Sequence, residues 1–230
     1  ITGIQHSIKN MLNVMKGGSY MVKLGLAKDD KAMLEEGWEM VREGIEDMTE
    51  MSMGMLDFAR TKKLKLNPID LGELCRKVHS ISHAKFKKAG VALSLDITPD
   101  LPPVTCDAEG IRSVVMDLIS NALDACSWKS YPPDERPEVI IRVVPGRLGS
   151  HIEIQVKDNG EGMPEDVRKR VFTPFFSTKE KKGTGMGLAV VSRIVESHGG
   201  DTFVESEPGR GSTFRVSLPI QGPSLREEQG

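Results

Sequence analysis

The chain has 230 residues, 38% of them hydrophobic and 28% charged, with a formal net charge of −2. The expectation is a soluble globular protein with room for a small helical unit beside a compact domain, and the charge excludes an electrostatic case for nucleic acid or an anionic membrane. No apolar run approaches bilayer-spanning length, and three widely spaced cysteines, Cys75, Cys106 and Cys126, make neither a disulfide framework nor a zinc site, so a reducing, cytoplasmic setting is expected.

From Ile1 to about Gly25, apolar or small residues recur at Ile1, Ile4, Ile8, Met11, Met15, Gly18, Val22 and Gly25. A second segment repeats this spacing at Leu34, Trp38, Val41, Ile45, Met48, Ser52, Met55 and Ala59. Alternation of three and four residues predicts two heptad-patterned helices. The link Lys28-Asp29-Asp30 allows only an antiparallel reversal and supplies N-cap candidates. One hairpin cannot bury its own stripe, so pairing of two hairpins into a dimeric four-helix bundle is expected over residues 1–66. His6 lies roughly 200° around the helix from Ile4 and so off the stripe, with Asn10 and Asn13 on the same polar side. Ile1 opens inside a helical pattern without an initiator Met, which suggests a fragment.

Asn67-Pro68 breaks the second helix, and residues 67–221 alternate strands with amphipathic helices. Asp70 is positioned to cap a helix to about Ala89, Val91–Ile97 alternates as a strand, and Asp107 is positioned to cap a helix to about Cys126. Val139–Val144 and Ile152–Val156 read as strands joined by a turn, followed by a helix from about Gly187 to Ser197 and strands near Thr202–Ser206 and Thr213–Leu218. The fold class is α+β: a helical hairpin, then a mixed sheet backed by helices. Residues 222–230 read as a disordered tail.

Three stretches in this second part carry chemistry. Asp158-Asn159-Gly160-Glu161-Gly162-Met163 follows an alternating strand, and a carboxylate with closely set glycines lets backbone lie flat against a planar ligand; the same residues also suit an ordinary tight loop. Asp117 and Asn121, four apart, share a helix face and offer oxygens of the kind Mg²⁺ takes jointly with phosphates, or simply form a polar outer face. Phe172-Thr173-Pro174-Phe175-Phe176 leads into Gly183-Thr184-Gly185-Met186-Gly187, an anchored lid ending where helix N–H groups suit phosphates.

Together with His6-Ser7-Ile8-Lys9-Asn10 and Asp117–Ala125, these stretches resemble, in order and spacing, the H, N, G1, F and G2 boxes of two-component sensor histidine kinases. The resemblance covers nearly the whole chain to Pro219 and extends to the closing Gly211-Ser212-Thr213-Phe214. It implies a homodimeric phosphotransfer bundle joined to an ATP-binding domain of the kind shared with gyrase, a response-regulator receiver domain as partner, and a missing N-terminal sensor region. On that resemblance Asp158 accepts from the adenine amino group, Gly160 and Gly162 shape the base pocket, and Thr213 supports the adenine side. Asn121, with Asp117 beside it, ligates Mg²⁺; Phe172 and Gly183 belong to the lid, and Gly185 and Gly187 lie against the phosphates. His6 takes the γ-phosphoryl group, and Asn10 matches the position that helps a water attack the phosphorylated regulator.

Two departures stand out. Ser7 replaces the acidic residue common after the phosphoacceptor, and Asp117 replaces a common Asn, a carboxylate suited either to binding the metal more strongly or, as a catalytic residue, to aligning the imidazole. Two other readings use the same pocket: an ATP-hydrolysing clamp or chaperone, and a scaffold that binds ATP without chemistry.

Overall fold

The computed structural model describes residues 2–59, 64–146, 149–178 and 185–223, the side chains of 2–7, 50 and 57–59 excepted. The chain divides into two compact units, Ile1–Arg60 with Thr173–Ala189 and Thr61–Phe172 with Val190–Gly230. The expected tail falls largely on residues 224–230, outside the described residues.

In the first unit, helix α1 (Thr2–Lys28) reverses into helix α2 (Lys31–Ala59). Asp29 takes a left-handed conformation (φ 53°), which a short polar side chain tolerates, and the Asp30 N–H then closes α1 by donating to Gly25 O at 2.9 Å. Asp30 Oδ1 accepts from Met33 N at 3.0 Å and so caps α2. The two helices meet along Met11, Gly18 and Gly25 on one side and Gly37, Gly44 and Met51 on the other, all buried. At this seam the backbones approach closely: a Cβ on Gly18 would stand 2.6 Å from Gly37 O, and one on Gly37 would stand 2.7 Å from Gly18 O.

Within the hairpin α1 uses its expected stripe from Met11 to Gly25, whereas α2 meets it through Gly37, Gly44 and Met51. Trp38 and Ile45, on the α2 stripe expected to be covered by a second hairpin, are 58% and 52% exposed. The heptad band on α2 is wide enough to have two edges: its glycine edge meets α1, and its Trp38–Ile45 edge faces outward. Leu12, Met15, Ser19, Val22, Trp38 and Val41 line an apolar groove of about 370 Å³ along this outer side.

The first strand of the second unit is β1 (Asn67–Ile69), so Asn67-Pro68 opens a strand rather than ending a helix, and residues 64–66 before it are already non-helical. Helix α3 (Leu71–Lys88) is capped by Asp70, whose side chain accepts from Glu73 N. Strands β2 (Ala92–Ile97) and β3 (Val104–Cys106) lead to helix α4 (Ala108–Trp128), and then come β4 (Glu138–Pro145) and β5 (His151–Asp158). A short helix α5 (Glu165–Arg168), helix α6 (Gly187–Ser197), and strands β6 (Asp201–Glu207) and β7 (Gly211–Pro219) complete the order.

The main sheet runs β2-β4-β5-β7-β6, parallel only between β2 and β4, while β1 and β3 form a separate antiparallel pair. A parallel pair needs a long crossover, and here α4 supplies it. Every second residue of β4, β5 and β7 faces inward: Val139, Ile141 and Val143, then Ile152, Ile154 and Val156, then Phe214, Val216 and Leu218 are all at most 5% exposed. Ile111, Val114, Val115, Leu118, Ile119 and Ala122 of α4 are buried as well. Cys75, Cys106 and Cys126 are free and buried. Burial pushes the Cys75 thiol up to about 12 and the Cys106 thiol up to about 11, which keeps both protonated and unreactive.

His198, just past α6, is 1% exposed and ties that helix to α4. Its Nε2 accepts from Asp107 N at 3.0 Å, so Nδ1, 2.7 Å from Ile194 O, is the donor. Asp107 in turn caps α4 through Oδ1, accepting from Glu109 N and Gly110 N, and accepts from Lys65 N through Oδ2. Replacing His198 by Ala leaves a buried N–H without an acceptor and opens a cavity, so a loss of about 3 kcal/mol in unfolding free energy is expected by denaturant titration.

Candidate functional site

Strand β5 ends on Asp158, on the same face as the buried Val156, and the side chain is 2% exposed. Its Oδ1 accepts from Gly160 N at 2.9 Å and from Ser212 N at 3.2 Å. Its Oδ2 is buried and has no hydrogen-bond partner among the described residues. Desolvation dominates the electrostatics: burial pushes the carboxyl up to about 6, against the opposing pull of the Gly160 and Ser212 N–H groups and of Lys129. A buried acceptor of this kind costs free energy unless something donates to it, and an N–H of a planar base is a suitable donor.

The following turn is clamped on both sides. Toward α4, a Cβ on Gly160 would stand 2.5 Å from the Ala125 carbonyl carbon, and Glu161 N donates to Ala125 O at 3.1 Å. Toward the β6–β7 hairpin, Gly162 has φ +69° and a Cβ there would stand 2.8 Å from the Glu207 carbonyl carbon, while Met163 N donates to Ser206 Oγ at 2.8 Å. The two glycines are thus required by main chain pressed against main chain. Asp117 and Asn121 are half-buried on α4, four residues apart, and Ala125 lies one further turn along the same face. Among the described residues no group of three or more His, Cys, Asp or Glu side chains forms a complete metal cage. The oxygen pair on α4 suits an ion that keeps waters and shares phosphate oxygens.

Thr213 lines the same cleft as Asp158 but does not share its face of the sheet. It pairs across the sheet with Lys157 and with Glu205, both exposed, and therefore shares their outer face. Ser212, one residue earlier and 5% exposed, lies on the Asp158 side, with its Oγ 3.0 Å from Ser206 Oγ. The reason is the two-residue period of a strand: a slip of one position exchanges the faces. A cleft of about 620 Å³ opens beside this hairpin and includes Asp158, Ser212, Thr213, Lys157, Arg168 and Arg210 in its lining, but not Asp117, Asn121, Gly160 or Gly162.

Phe172 is half-buried and meets Phe214 edge-on, ring centroids 6.1 Å apart, anchoring the start of the segment expected to be a lid. In the other unit, Gly185 (φ +67°) accepts through its carbonyl from Phe175 N at 2.9 Å, and Phe175 itself has φ 64°. A Cβ on Gly185 would meet the Phe175 and Phe176 backbone, whereas one on Gly187, the first residue of α6, would meet nothing within 4 Å among the described residues. Gly183 lies outside the described residues. His6 lies on α1, but its side chain is outside the described set; Asn10, one turn on, is exposed.

Sequence reasoning missed Ser206 and Ser212, which hold the turn from the hairpin side, and missed the residues behind it. Asn159 Oδ1 accepts from Glu138 N at 2.8 Å, its Nδ2 donates to Arg136 O at 2.8 Å, and its carbonyl accepts from Lys129 Nζ at 2.9 Å. Asn159 had been visible only as turn chemistry.

Residues 106–222 match the model of the histidine kinase-, DNA gyrase B- and HSP90-like ATPases. Over 99% of its length the chain is 33% identical to the sensor histidine kinase ZraS of Klebsiella oxytoca, of which it covers 47%. It is 29% identical, over 95% of its length, to sporulation kinase E of Bacillus subtilis, of which it covers 28%. The chain therefore spans less than half the length of these curated relatives. Among solved structures, the catalytic domain of histidine kinase ThkA aligns with 68% of this chain and 99% of its own at TM-score 0.58 and 25% identity. ThkA in complex with the response regulator protein TrrA aligns with 95% of this chain and 60% of its own at TM-score 0.76; at 20% identity this shows the fold alone.

Proposed function

The chain belongs to the histidine kinase-, DNA gyrase B- and HSP90-like ATPase family, and from that premise we propose that it is the kinase core of a two-component sensor. It is a protein-histidine autokinase that uses ATP with Mg²⁺ to phosphorylate His6 and passes the phosphoryl group to an aspartate of a response-regulator receiver domain. The observation that carries this reading is the unpartnered, buried Oδ2 of Asp158 at the head of a turn held rigid from two sides. The adenine amino group is the donor that satisfies it, with Ser212 fixing the carboxylate from behind.

The remaining roles follow from chemistry. Asn121 and Asp117 supply oxygens to Mg²⁺, which when bound neutralises charge on the phosphates. Gly187 has the open space and the helix N-terminus that suit phosphate oxygens, and Gly185 braces the segment that begins at Phe172. An imidazole with an ordinary pKa near about 6.5 is mostly neutral at about pH 7 and already nucleophilic. A His6 ring nitrogen forms the N–P bond as the bridging P–O bond breaks and ADP leaves, so catalysis is mainly positioning. Ser7 supplies no base at that pH.

The working unit is a homodimer. The outward edge of the hairpin supports this: Leu12, Trp38 and Ile45 are 41%, 58% and 52% exposed beside an apolar groove, an arrangement a second hairpin covers. ThkA is seen with a response regulator protein, and a receiver domain is the partner proposed here. A hydrolysis-driven clamp is not favoured, because relatives that align with almost all of this chain include the sensor histidine kinase ZraS and the signal transduction histidine-protein kinase AtoS.

Incubation with γ-labelled ATP and Mg²⁺ tests the proposal. An acid-labile, alkali-stable protein adduct is expected. Steady release of free phosphate without an adduct indicates the clamp, and bound ATP without either indicates a scaffold. A second expectation concerns Asn10: Asn10→Ala slows dephosphorylation of the regulator by roughly tenfold while autophosphorylation stays intact, and equal rates in both assays remove Asn10 from that role.

A further inference from the structure

The segment after α4 folds back on the Asp158 turn, and its centre is a lysine. Lys129 Nζ donates to Asn159 O at 2.9 Å and to Glu135 Oε1 at 2.8 Å, and it stands 4.8 Å from the Tyr131 ring centroid. Its side chain is only 14% exposed. Tyr131 OH donates to the same Asn159 carbonyl at 3.3 Å, and Glu135 accepts from Asn159 Nδ2 at 3.2 Å. A half-desolvated ammonium with three partners around one carbonyl is a specific arrangement, since ordering a lysine stem and removing it from water both cost free energy.

We infer that Lys129 is a positioning residue for the nucleotide base, clamping the Asn159 carbonyl and presenting its charge to the carboxylate of Asp158 from behind. The inference rests on the nucleotide reading of Asp158. Lys129 acts in two ways. Its hydrogen bond fixes the peptide that follows Asp158, and hence the direction of Oδ2. Its charge favours the ionised carboxylate, the form that accepts from an amino group.

Other groups near Asp158 do not supply that charge. From α4 comes Cys126, whose thiol burial pushes up. From the segment after α4 comes Tyr131, whose phenol burial also pushes up, so both stay neutral near neutral pH. Glu135 is paired with Lys129, and the β6–β7 hairpin contributes the neutral Ser206 and Ser212. Glu165, Arg168, Glu205, Glu207 and Arg210 line the same cleft, Arg210 paired with Glu207, but the charged side chain that pulls on the Asp158 carboxyl is Lys129. Lys157 precedes Asp158 on the strand and points to the outer face. The carboxyl, pushed up to about 6 with Lys129 pulling the other way, sits where a modest change in field alters its ionisation in the physiological range.

The test is ADP binding by calorimetry between about pH 5.5 and about pH 8, on the wild type, Lys129→Gln, Lys129→Met and Lys129→Arg. Wild-type affinity is expected to fall as pH drops through about 6, as Asp158 protonates. Lys129→Gln keeps a donor for Asn159 but loses the charge, so the midpoint moves up, and affinity falls at about pH 6 while holding at about pH 8. Lys129→Met shows the same displacement together with weaker binding at about pH 8, and Lys129→Arg restores the wild-type midpoint. An unchanged midpoint in both neutral variants overturns the inference, because a purely structural lysine would weaken binding equally at every pH. Should Lys129→Met fail to fold, Lys129→Gln decides alone. Absence of ADP binding by the wild type, or unimpaired binding by Asp158→Asn, instead overturns the nucleotide reading itself.

Discussion

Asp158→Asn is expected to make the ligand-free protein more stable and, at the same time, unable to bind ATP. The two effects come from one atom. Burial raises the Asp158 carboxyl from the ordinary value of about 3.9 to about 6, so the folded state holds a proton more tightly than the unfolded one. For a raised carboxyl the sign is unfavourable to the ionised fold: stability is complete below about pH 4, falls as pH rises, and is lower by about 3 kcal/mol above about pH 6. An amide has no charge to desolvate, so the variant is expected to gain about 1 kcal/mol at about pH 7, part of the relief being offset by its own buried NH₂.

The orientation of that amide decides binding. Gly160 N and Ser212 N both donate to Oδ1, so the Asn oxygen must occupy that place and its NH₂ must take the position of Oδ2. A donor then faces the adenine amino donor. Losing a charge-assisted hydrogen bond and burying two donors against each other costs about 3–4 kcal/mol, or roughly a hundredfold to a thousandfold in affinity. Thermal melts across pH with calorimetry check both parts. A destabilised variant, or one that binds ATP as the wild type does, contradicts this account of the site.

Gly162→Ala is expected to be, with the same change at Gly211, among the most damaging single methyl additions in this part of the protein. The position combines φ +69° with the Glu207 main chain directly where a Cβ would go. The left-handed backbone alone costs about 1–2 kcal/mol for an L-residue. The clash adds a few more, because main chain in a hydrogen-bonded hairpin cannot step aside as a flexible side chain does. Gly209 provides the contrast: it has φ +77° and nothing within 4 Å. Gly209→Ala is expected to lose only about 1 kcal/mol, against about 3–5 kcal/mol for Gly162→Ala, with nucleotide binding lost in the latter alone. Equal losses in urea titrations would mean that dihedral strain, not the press of the β6–β7 hairpin, explains the glycine.

How much of this was legible depends on how far each residue's partner lies along the chain. The hairpin link, the heptads of α1, the β4–β5 pair and the caps at Asp70 and Asp107 are set by neighbours within a few positions, and each was readable from spacing. The three-residue strands β1 and β3 carry no period to detect. The α2 stripe through Trp38 and Ile45, expected to face a second hairpin, was legible, whereas the glycine edge by which α2 meets its own hairpin partner, Gly37 and Gly44, was not, because a wide apolar band does not say which edge faces inward. Thr213 was chosen over Ser212 because the motif fixes the stretch but not the strand face, which depends on pairing with Lys157 and Glu205. Lys129 and Glu135 had no signal at all, since their partner Asn159 is about thirty residues away and a charged segment after a helix reads as solvated surface.

The central claim is that a phosphoryl group held by this nucleotide site ends on one imidazole. Mapping the modified residue under alkaline conditions after incubation with ATP and Mg²⁺ tests it most directly. The account predicts phosphate on a ring nitrogen of His6, none in Asp158→Asn, and none in His6→Gln even though that variant still binds ADP. Phosphate on another residue, or undiminished modification of His6→Gln, would contradict it.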